Sequence, residues 1–574
     1  MAFERQPALE MAFVGGEIDA GDADLLKSEL LCPVLDLFDG REGHHYDQQY
    51  TVHRTSAAEC TVTADLPIFS PEQVRERDRV AIETHGIPGY TLMTRAGRAA
   101  LNVLRARWPG ARRPLVLCGA GNNAGDGYVL ARLAADIGLE PTVVPVFDPE
   151  RLRGDAARAW QDYRPVVDRG RGHLASQWSD ALLGQSDVVV DALFGTGLAR
   201  EVTDHPAQIV GRVNASGLPV LALDVPSGLS AATGEALGVA VAADATITFV
   251  GRKIGFYVGS GQDFVGTVYF DDLGIDQLAG IARQGVATLL DPAALGALLP
   301  RRRRTSHKAS HGHVLIVGGA EGMSGAARLA GEAALYAGAG LVSVATSPAH
   351  AAWLNVGRPE LMCRGVRSAQ DLAPLLERAD VVVAGPGLGT DSSAQQLLEA
   401  VLARALPRVL DADALNLLAN GALPISALGA KSGAPARTVI TPHPGEAARL
   451  LGTSTGEVQA DRLTASARLV AATGAVCVLK GAGSVVGTVD RLPAICDRGN
   501  PGMAAAGMGD VLSGVIGALL AQLGDPAAAA GTGALVHAMA GDAAAARLGI
   551  ERGLMASDLF DDIRRLVNPV GDRG

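Results

Sequence analysis

Leu115-VLCGAGNNAGDGYVLARLAA-Asp136 is a strand-length apolar run, a glycine-rich polar turn and a helix-like run in immediate succession. Glycines let a backbone approach a ligand closely, and free N–H groups at a helix start suit an anion. The reading is a loop over Gly119–Gly127 with the helix beginning near Tyr128. The dinucleotide fingerprint G-x-G-x-x-G does not fit in register, because its third glycine falls at Ala124. The side chains of Asn122, Asn123 and Asp126 add polar groups that a simple tight turn does not need.

Outward from this unit, Thr142-VVPVF, Asp187-VVVDAL, Pro219-VLALDV and Ala245-TITFV read as further short strands with helical stretches between several of them. Upstream, Ser70-PEQVRERDRVAIETHG carries an N-cap serine and a proline at the first helical position. Alternating strands and helices predict a parallel sheet covered on both faces, with ligands at the carboxyl ends of its strands. Asp191 and Asp224 fall at such ends, beside F-G-T-G and P-S-G. Singly, either acid could merely cap a helix. Together, three oxygen-rich strand-end loops could hold a monovalent or hard cation and a polar substrate.

The pattern breaks near residues 285–310, where Arg301-RRRTSHKASHG marks a junction. A second series follows: Val314-LIVGG, Leu341-VSVAT, Ala379-DVVVAGPG, Arg408-VLDADAL, Thr438-VITPH and Ala475-VCVLKGAG. An Ala/Gly-rich helical region closes the chain from about Asp510 to Leu566. Here Lys480-GAG-Ser484 could cradle phosphates, although the P-loop pattern is absent. Gly507-MG-Asp510 opens an apolar helix, placing an acid where it could exchange a proton with a bound hydroxyl. His443, between two prolines, is rigidly placed for a site role. Asp411 and Asp413 either position a substrate or cap the next helix.

The chain has 574 residues, enough for two or more domains, and its net charge of −11 argues against a nucleic-acid grip across the whole surface. Its six cysteines show no C-x-x-C spacing, so no zinc site or disulfide framework is expected. The start lacks a basic-then-apolar leader, and Val511-LSGVIGALLAQ-Leu523 is too short for a membrane helix. A cytoplasmic protein that binds small molecules, neither nucleic acid nor membrane, is the expectation.

In order, N-N-x-G-D-G, D-x-x-F-G-T-G and D-x-P-S-G resemble the NAD(P)H-hydrate epimerase domain, over roughly residues 65–275 and including Leu92-MTRAG and Lys253. The resemblance implies a potassium ion held by Asn123, Asp191 and Ser227. It implies substrate contacts at Asn122, Asn123, Ala124, Gly125 and Asp126, at Gly195, Thr196, Gly197, Leu198, Ala199, Arg200 and Glu201, and at Asp224. Ala124 replaces the usual glycine and is tolerable only with an ordinary φ. The second half is similar to the ribokinase-like fold and, within it, to the NAD(P)H-hydrate dehydratases. The strings are H-K-A-S-H-G-H-V-L-I-V-G-G, G-P-G-L-G, D-A-D-A-L-N, T-P-H-P-G-E, L-K-G-A-G-S and G-M-G-D-V-L-S-G. That resemblance implies nucleotide contacts at Lys480, Gly481, Ala482, Gly483, Ser484 and Gly509, and hydrate contacts at Ala326, Gly389, His443 and Asp510.

The fold class expected is therefore α/β in two domains: a Rossmann-like three-layer sandwich over 66–284 and a ribokinase-like domain over 285–574, after an irregular extension over 1–65. The function implied is repair of NADH or NADPH that has gained water across a nicotinamide double bond, giving R and S hydrates (NADHX, NADPHX) at C6. The first domain would interconvert the epimers with Asp191 as acid/base. The second would dehydrate the S form using ADP, with magnesium as the nucleotide's companion and Asp510 as base. A homo-oligomer is the expected assembly. The competing reading is a small-molecule kinase of the ribokinase-like fold behind a non-catalytic N-terminal binding module.

Overall fold

The computed structural model describes residues 65–428 and 437–569. The extension expected over 1–65 lies outside the described residues, its last residue apart. The strands are β1 (Asp65–Phe69), β2 (Pro114–Cys118), β3 (Thr142–Pro145), β4 (His173–Leu174), β5 (Val188–Ala192), β6 (Val220–Leu223), β7 (Ala245–Phe249), β8 (Arg252–Lys253), β9 (Thr267–Asp271) and β10 (Ala287–Leu290). They continue as β11 (His313–Val317), β12 (Leu341–Thr346), β13 (Leu361–Gly365), β14 (Val381–Ala384), β15 (Arg408–Leu410), β16 (Thr438–Ile440), β17 (Val476–Leu479), β18 (Ser484–Gly487) and β19 (Ala494–Cys496).

Seven strands form one sheet in the order β4-β3-β2-β5-β6-β7-β9, parallel throughout. Alternation along each strand assigns the faces. Val116, Val190 and Leu221 join one buried cluster, while Leu115, Val189 and Ala222 join the other. The chain order reverses direction at β2, which lies between β3 and β5. Such a switch point opens a crevice at the strands' carboxyl ends.

The second sheet has twelve strands in the order β13-β12-β11-β14-β15-β16-β17-β18-β19-β10-β1-β8. It is parallel from β13 to β17, with its own switch point at β11. Val314 and Val383 pack on one face, Leu315 and Val382 on the other. The two-domain α/β architecture is therefore present in both halves. The sequence pattern did not reveal the seam. β1 and β8, from the first half, hydrogen-bond into the second half's sheet through β10 and β19. Beneath that seam Ile68, Phe256, Leu289 and Ile495 form one buried cluster.

The Ser70 cap is as expected: its hydroxyl accepts from the Gln73 N–H, and the Gln73 side chain returns to the Ser70 N–H. Two expectations change. The helix after the glycine-rich turn begins at Asn122, not Tyr128, and runs to Asp136. The closing helical region is divided into Met508–Leu523, Pro526–Leu548 and Phe560–Leu566, with left-handed glycines at 524 and 549 ending the first two. Met508–Leu523 packs backbone to backbone on Ser324–Tyr336, since a Cβ at Gly514 would lie 2.1 Å from the Ala330 carbonyl oxygen. Gly514→Val is expected to destabilise the second half by about 1–3 kcal/mol through overpacking, measured by denaturant unfolding.

Candidate functional site

The first site sits at the carboxyl ends of β2, β5 and β6. A cavity of about 800 Å³ is walled by Asn122, Asn123, Asp126, Gly195, Thr196, Gly197, Leu198, Ala199, Arg200 and Asp224. Most of the residues expected to touch substrate are thus brought together, but Ala124, Gly125 and Glu201 are not on the wall. Ala124 is fully buried in the first helical turn with ordinary backbone, which is why alanine is tolerated there. Gly119 is needed for contact rather than for phosphate: a Cβ there would lie 1.7 Å from the Leu193 carbonyl oxygen.

Behind the wall, Asp191 is fully buried. Its carboxylate accepts from the Ser227 hydroxyl at 2.6 Å, the Ser227 N–H at 2.7 Å and the Leu193 N–H at 3.2 Å. Burial pushes Asp191 up to about 6, against those hydrogen bonds. Asp191 was expected to be the acid/base. It does not line the cavity, and its oxygens are already engaged, so the geometry does not suit proton exchange with a ligand. Beside it the Asn123 amide donates to the Phe194 carbonyl at 3.0 Å, while Asn123 Oδ1 is buried without a partner. An orphaned buried oxygen next to a carboxylate, a serine hydroxyl and a carbonyl is an all-oxygen set that fits an alkali cation.

Asp224 is held in the left-handed region at φ 62°. Lys253, fully buried, donates to Asp224, to Thr248 Oγ1 at 2.8 Å and to the Phe249 carbonyl at 2.8 Å. The cavity also carries Asp78, from helix Pro71–Arg79, which sequence reasoning missed. In the string R-E-R-D-R nothing distinguishes it from a solvated helix face.

The second site is built around Lys480, at the end of β17. Its ammonium donates to the fully buried Asp411 at 2.8 Å and lies 3.9 Å from Glu446. Burial opposes its charge, but Asp411 and Glu446 outweigh that and raise it. Asp411 occupies the N-cap position of Ala412–Ala419 without capping it, its carboxylate being turned to Lys480. Asp413 accepts the Gly389 N–H at 2.9 Å. Gly509 adjoins Lys480, its Cβ position 3.2 Å from Nζ, and Asp510 follows in the first turn of Met508–Leu523. Burial, reinforced by Asp411, pushes Asp510 up to about 7, with Lys480 opposing. Ala326, half-buried in the first turn of Ser324–Tyr336, lies across from Gly387 of the same loop as Gly389.

His443 caps Pro444–Leu451: its Nδ1 accepts from the Gly445 and Glu446 N–H groups, leaving Nε2 3.4 Å from Glu446. Burial lowers its pKa, against the attraction of Glu446. The loop Lys480–Ser484 folds on itself, with Ser484 Oγ donating to the Gly481 carbonyl at 2.9 Å. Buried Arg462 gathers the Leu479, Lys480 and Gly483 carbonyls at 3.0, 3.1 and 3.4 Å. Gly483, at φ 64°, touches the first half directly, since a Cβ there would lie 1.7 Å from the Tyr257 carbonyl oxygen. Among the described residues no group of three or more His, Cys, Asp or Glu is placed to hold a metal, and no helix is long and apolar enough to cross a membrane.

A family model described as NAD(P)H-hydrate dehydratase matches residues 314–565, and one described as YjeF-related protein N-terminus matches 89–255. The bifunctional NAD(P)H-hydrate repair enzyme Nnr of Coxiella burnetii is 45% identical over 509 residues, 88% of this chain and 99% of the relative. The chain belongs to the bifunctional NAD(P)H-hydrate repair enzymes. The Escherichia coli member is 44% identical, covering 88% of this chain and 94% of its own. Among solved structures, a ribokinase-like superfamily protein from Enterococcus faecalis matches 49% of this chain and 95% of its own at 29% identity and TM-score 0.43. An ADP/ATP-dependent NAD(P)H-hydrate dehydratase from Bacillus subtilis, co-crystallised with ATP/Mg2+, matches 48% of this chain and 96% of its own at 28% identity and TM-score 0.42.

Like the other NAD(P)H-hydrate repair enzymes, the chain joins an epimerase half to a dehydratase half. Membership sets aside the reading as a small-molecule kinase behind a non-catalytic N-terminal binding module. The epimerase half depends on its buried ion pair, because removing one partner leaves a desolvated charge. Lys253→Met is expected to cost that half about 3 kcal/mol, and Lys253→Met/Asp224→Asn to recover much of the loss, both read by thermal unfolding.

Proposed function

We propose that the cavity at β2, β5 and β6 binds the NADHX or NADPHX hydrate, through Asn122, Asp126, the loop Gly195–Arg200 and Asp224. The observation that carries this is the convergence of those groups on one cavity of about 800 Å³, a volume suited to a cofactor-sized ligand. Asn123, Asp191 and Ser227 would hold potassium, the role that suits Asp191 in place of the acid/base role. The support is the orphaned Asn123 Oδ1 beside the Asp191–Ser227 pair. Bound there, potassium supplies a fixed charge that ties the three strand-end loops together.

In the dehydratase half we propose that ADP, with its magnesium, is the co-substrate. It would meet Lys480–Ser484 and Gly509, while Ala326, Gly389, His443 and Asp510 face the S hydrate. Hydroxide is a poor leaving group. Asp510 would take the proton of the C6 hydroxyl as that oxygen accepts a phosphoryl group, and elimination of the phosphate ester restores the nicotinamide. Lys480 and the helix-start N–H groups would stabilise the charge of transfer. We further propose a cytoplasmic homo-oligomer, for which sedimentation is the test.

A mixed R/S hydrate offered with ADP and magnesium is expected to return all of its reduced-nicotinamide absorbance, and faster than with ATP in parallel. Recovery of half would contradict the epimerase site. Asp510→Asn is expected to abolish dehydration while leaving epimerisation intact, and loss of both would argue against independent sites. With Asp510 pushed up to about 7 and needed as the base, dehydration should rise as pH increases through about 7. Potassium should raise the melting temperature of the wild type and not of Asn123→Ala.

A further inference from the structure

Four carboxyls line the hydrate cavity, Asp78, Asp126, Asp155 and Asp224, and none of the steps above uses one as an acid. Asp126 comes from the first helical turn after β2, and Asp78 from helix Pro71–Arg79. Both line the cavity together with Asp224. Among the described residues neither carboxyl has a hydrogen-bond partner, in contrast to the engaged carboxylate of Asp191. The cation that acts on both of them, Lys253, is already committed. An ammonium has three protons, and Lys253 gives its own to Asp224, Thr248 and Phe249.

The cations acting on these acids are committed elsewhere: Lys253 to Asp224, and Arg77, which also acts on Asp78, to the Val250 and Ala282 carbonyls and Asp276. Burial, then the charges of Asp224 and Asp78, push Asp126 well above the usual carboxylate range, against Lys253. Asp78 is itself pushed up to about 6 by burial, with Lys253 opposing and Asp224 reinforcing. Arg75, Asp155 and Arg200 complete the charged wall. Asp126 is thus a half-buried carboxyl without a hydrogen-bond partner in the cavity proposed for the hydrate, which is where an acid working at neutral pH is needed.

We propose that Asp126 is the catalytic acid–base of epimerisation and that Asp78 is its positioning partner. The assignment rests on the hydrate occupying this cavity. In the hydrate, C6 carries both the hydroxyl and N1. The Asp126 carboxylic acid gives its proton to the hydroxyl oxygen, the C6–O bond breaks, and the N1 lone pair forms a C6=N1 iminium as water leaves. Water then adds to the opposite face of the planar C6, the π pair returns to N1, and the Asp126 carboxylate takes back the proton. Atoms balance, and no oxidant or reductant is needed. Asp78 acts through Asp126: its negative charge keeps the proton on the acid at higher pH.

The experiment follows conversion of purified R hydrate to S hydrate by the full chain, with ADP-dependent dehydration of S hydrate at the other site as the check on folding. Asp126→Asn is expected to slow R-to-S conversion about 100-fold or more, chiefly through kcat, with S dehydration at the other site near wild type. Asp78→Asn is expected to move the alkaline limb of the kcat/KM profile to lower pH, because the like charge that favours the protonated acid is gone. Wild-type conversion by Asp126→Asn overturns the catalytic assignment, and an unmoved profile in Asp78→Asn overturns the pairing. If Asp126→Asn loses both activities, Asp126→Glu decides. It retains conversion if the carboxyl is the reacting group, and a folded Asp126→Glu without conversion overturns the assignment. A wild-type chain that dehydrates S hydrate but never converts the R form overturns the reading of the cavity itself.

Discussion

Each half of the molecule sets a carboxylate in the crevice at the carboxyl end of a parallel sheet, half-buried at Asp224 and fully buried at Asp411, and each depends on one ammonium to hold it there. Lys253 holds Asp224, and Lys480 holds Asp411. Leaving either acid unpaired in a desolvated crevice would cost several kcal/mol. The pairs also set the chemistry. A cation committed to one acid leaves neighbouring acids under-compensated, and these are Asp126 and Asp78 in one half and Asp510 in the other. Burial first, and then that shortage of opposing charge, raises all three above the usual carboxylate range.

The two glycine-rich stretches serve different ends. In the epimerase half Gly119 brings a strand end against Leu193, and the polar work falls to side chains of the first helical turn. In the dehydratase half the glycines at 481 and 483 take left-handed backbone that folds the loop over Arg462. Gly483 also rests on the Tyr257 carbonyl, four residues beyond Lys253. The loop expected to meet the nucleotide is thus seated partly on the epimerase half, across a seam that the twelve-stranded sheet makes continuous.

Much of this was legible in the chain. Short apolar runs punctuated by helical periodicity locate β2, β5, β6, β11 and β12 within a residue or two, because the buried strands of a covered parallel sheet have to be apolar on both faces. The strand-end acids were legible for the same reason, as polar breaks in apolar runs. Asp78 was not, since an acid in a charged helix looks solvated until the fold places it on a cavity wall. The helix start at Asn122 was hidden by glycines that read locally as loop and are helical only because they pack against neighbours.

The sequence by itself determined the α/β class, the two successive domains and the pairing of an epimerase with a dehydratase, because local periodicity and motif order survive without coordinates. Tertiary structure decided which acid can reach a ligand. Asp191 and Asp126 look equivalent as acids beside glycines. One is sealed by Ser227 and Leu193 behind the wall, and the other stands in the cavity without a partner. Solvent access and hydrogen-bond saturation arise only when distant segments meet, and so does the sheet that joins the two halves.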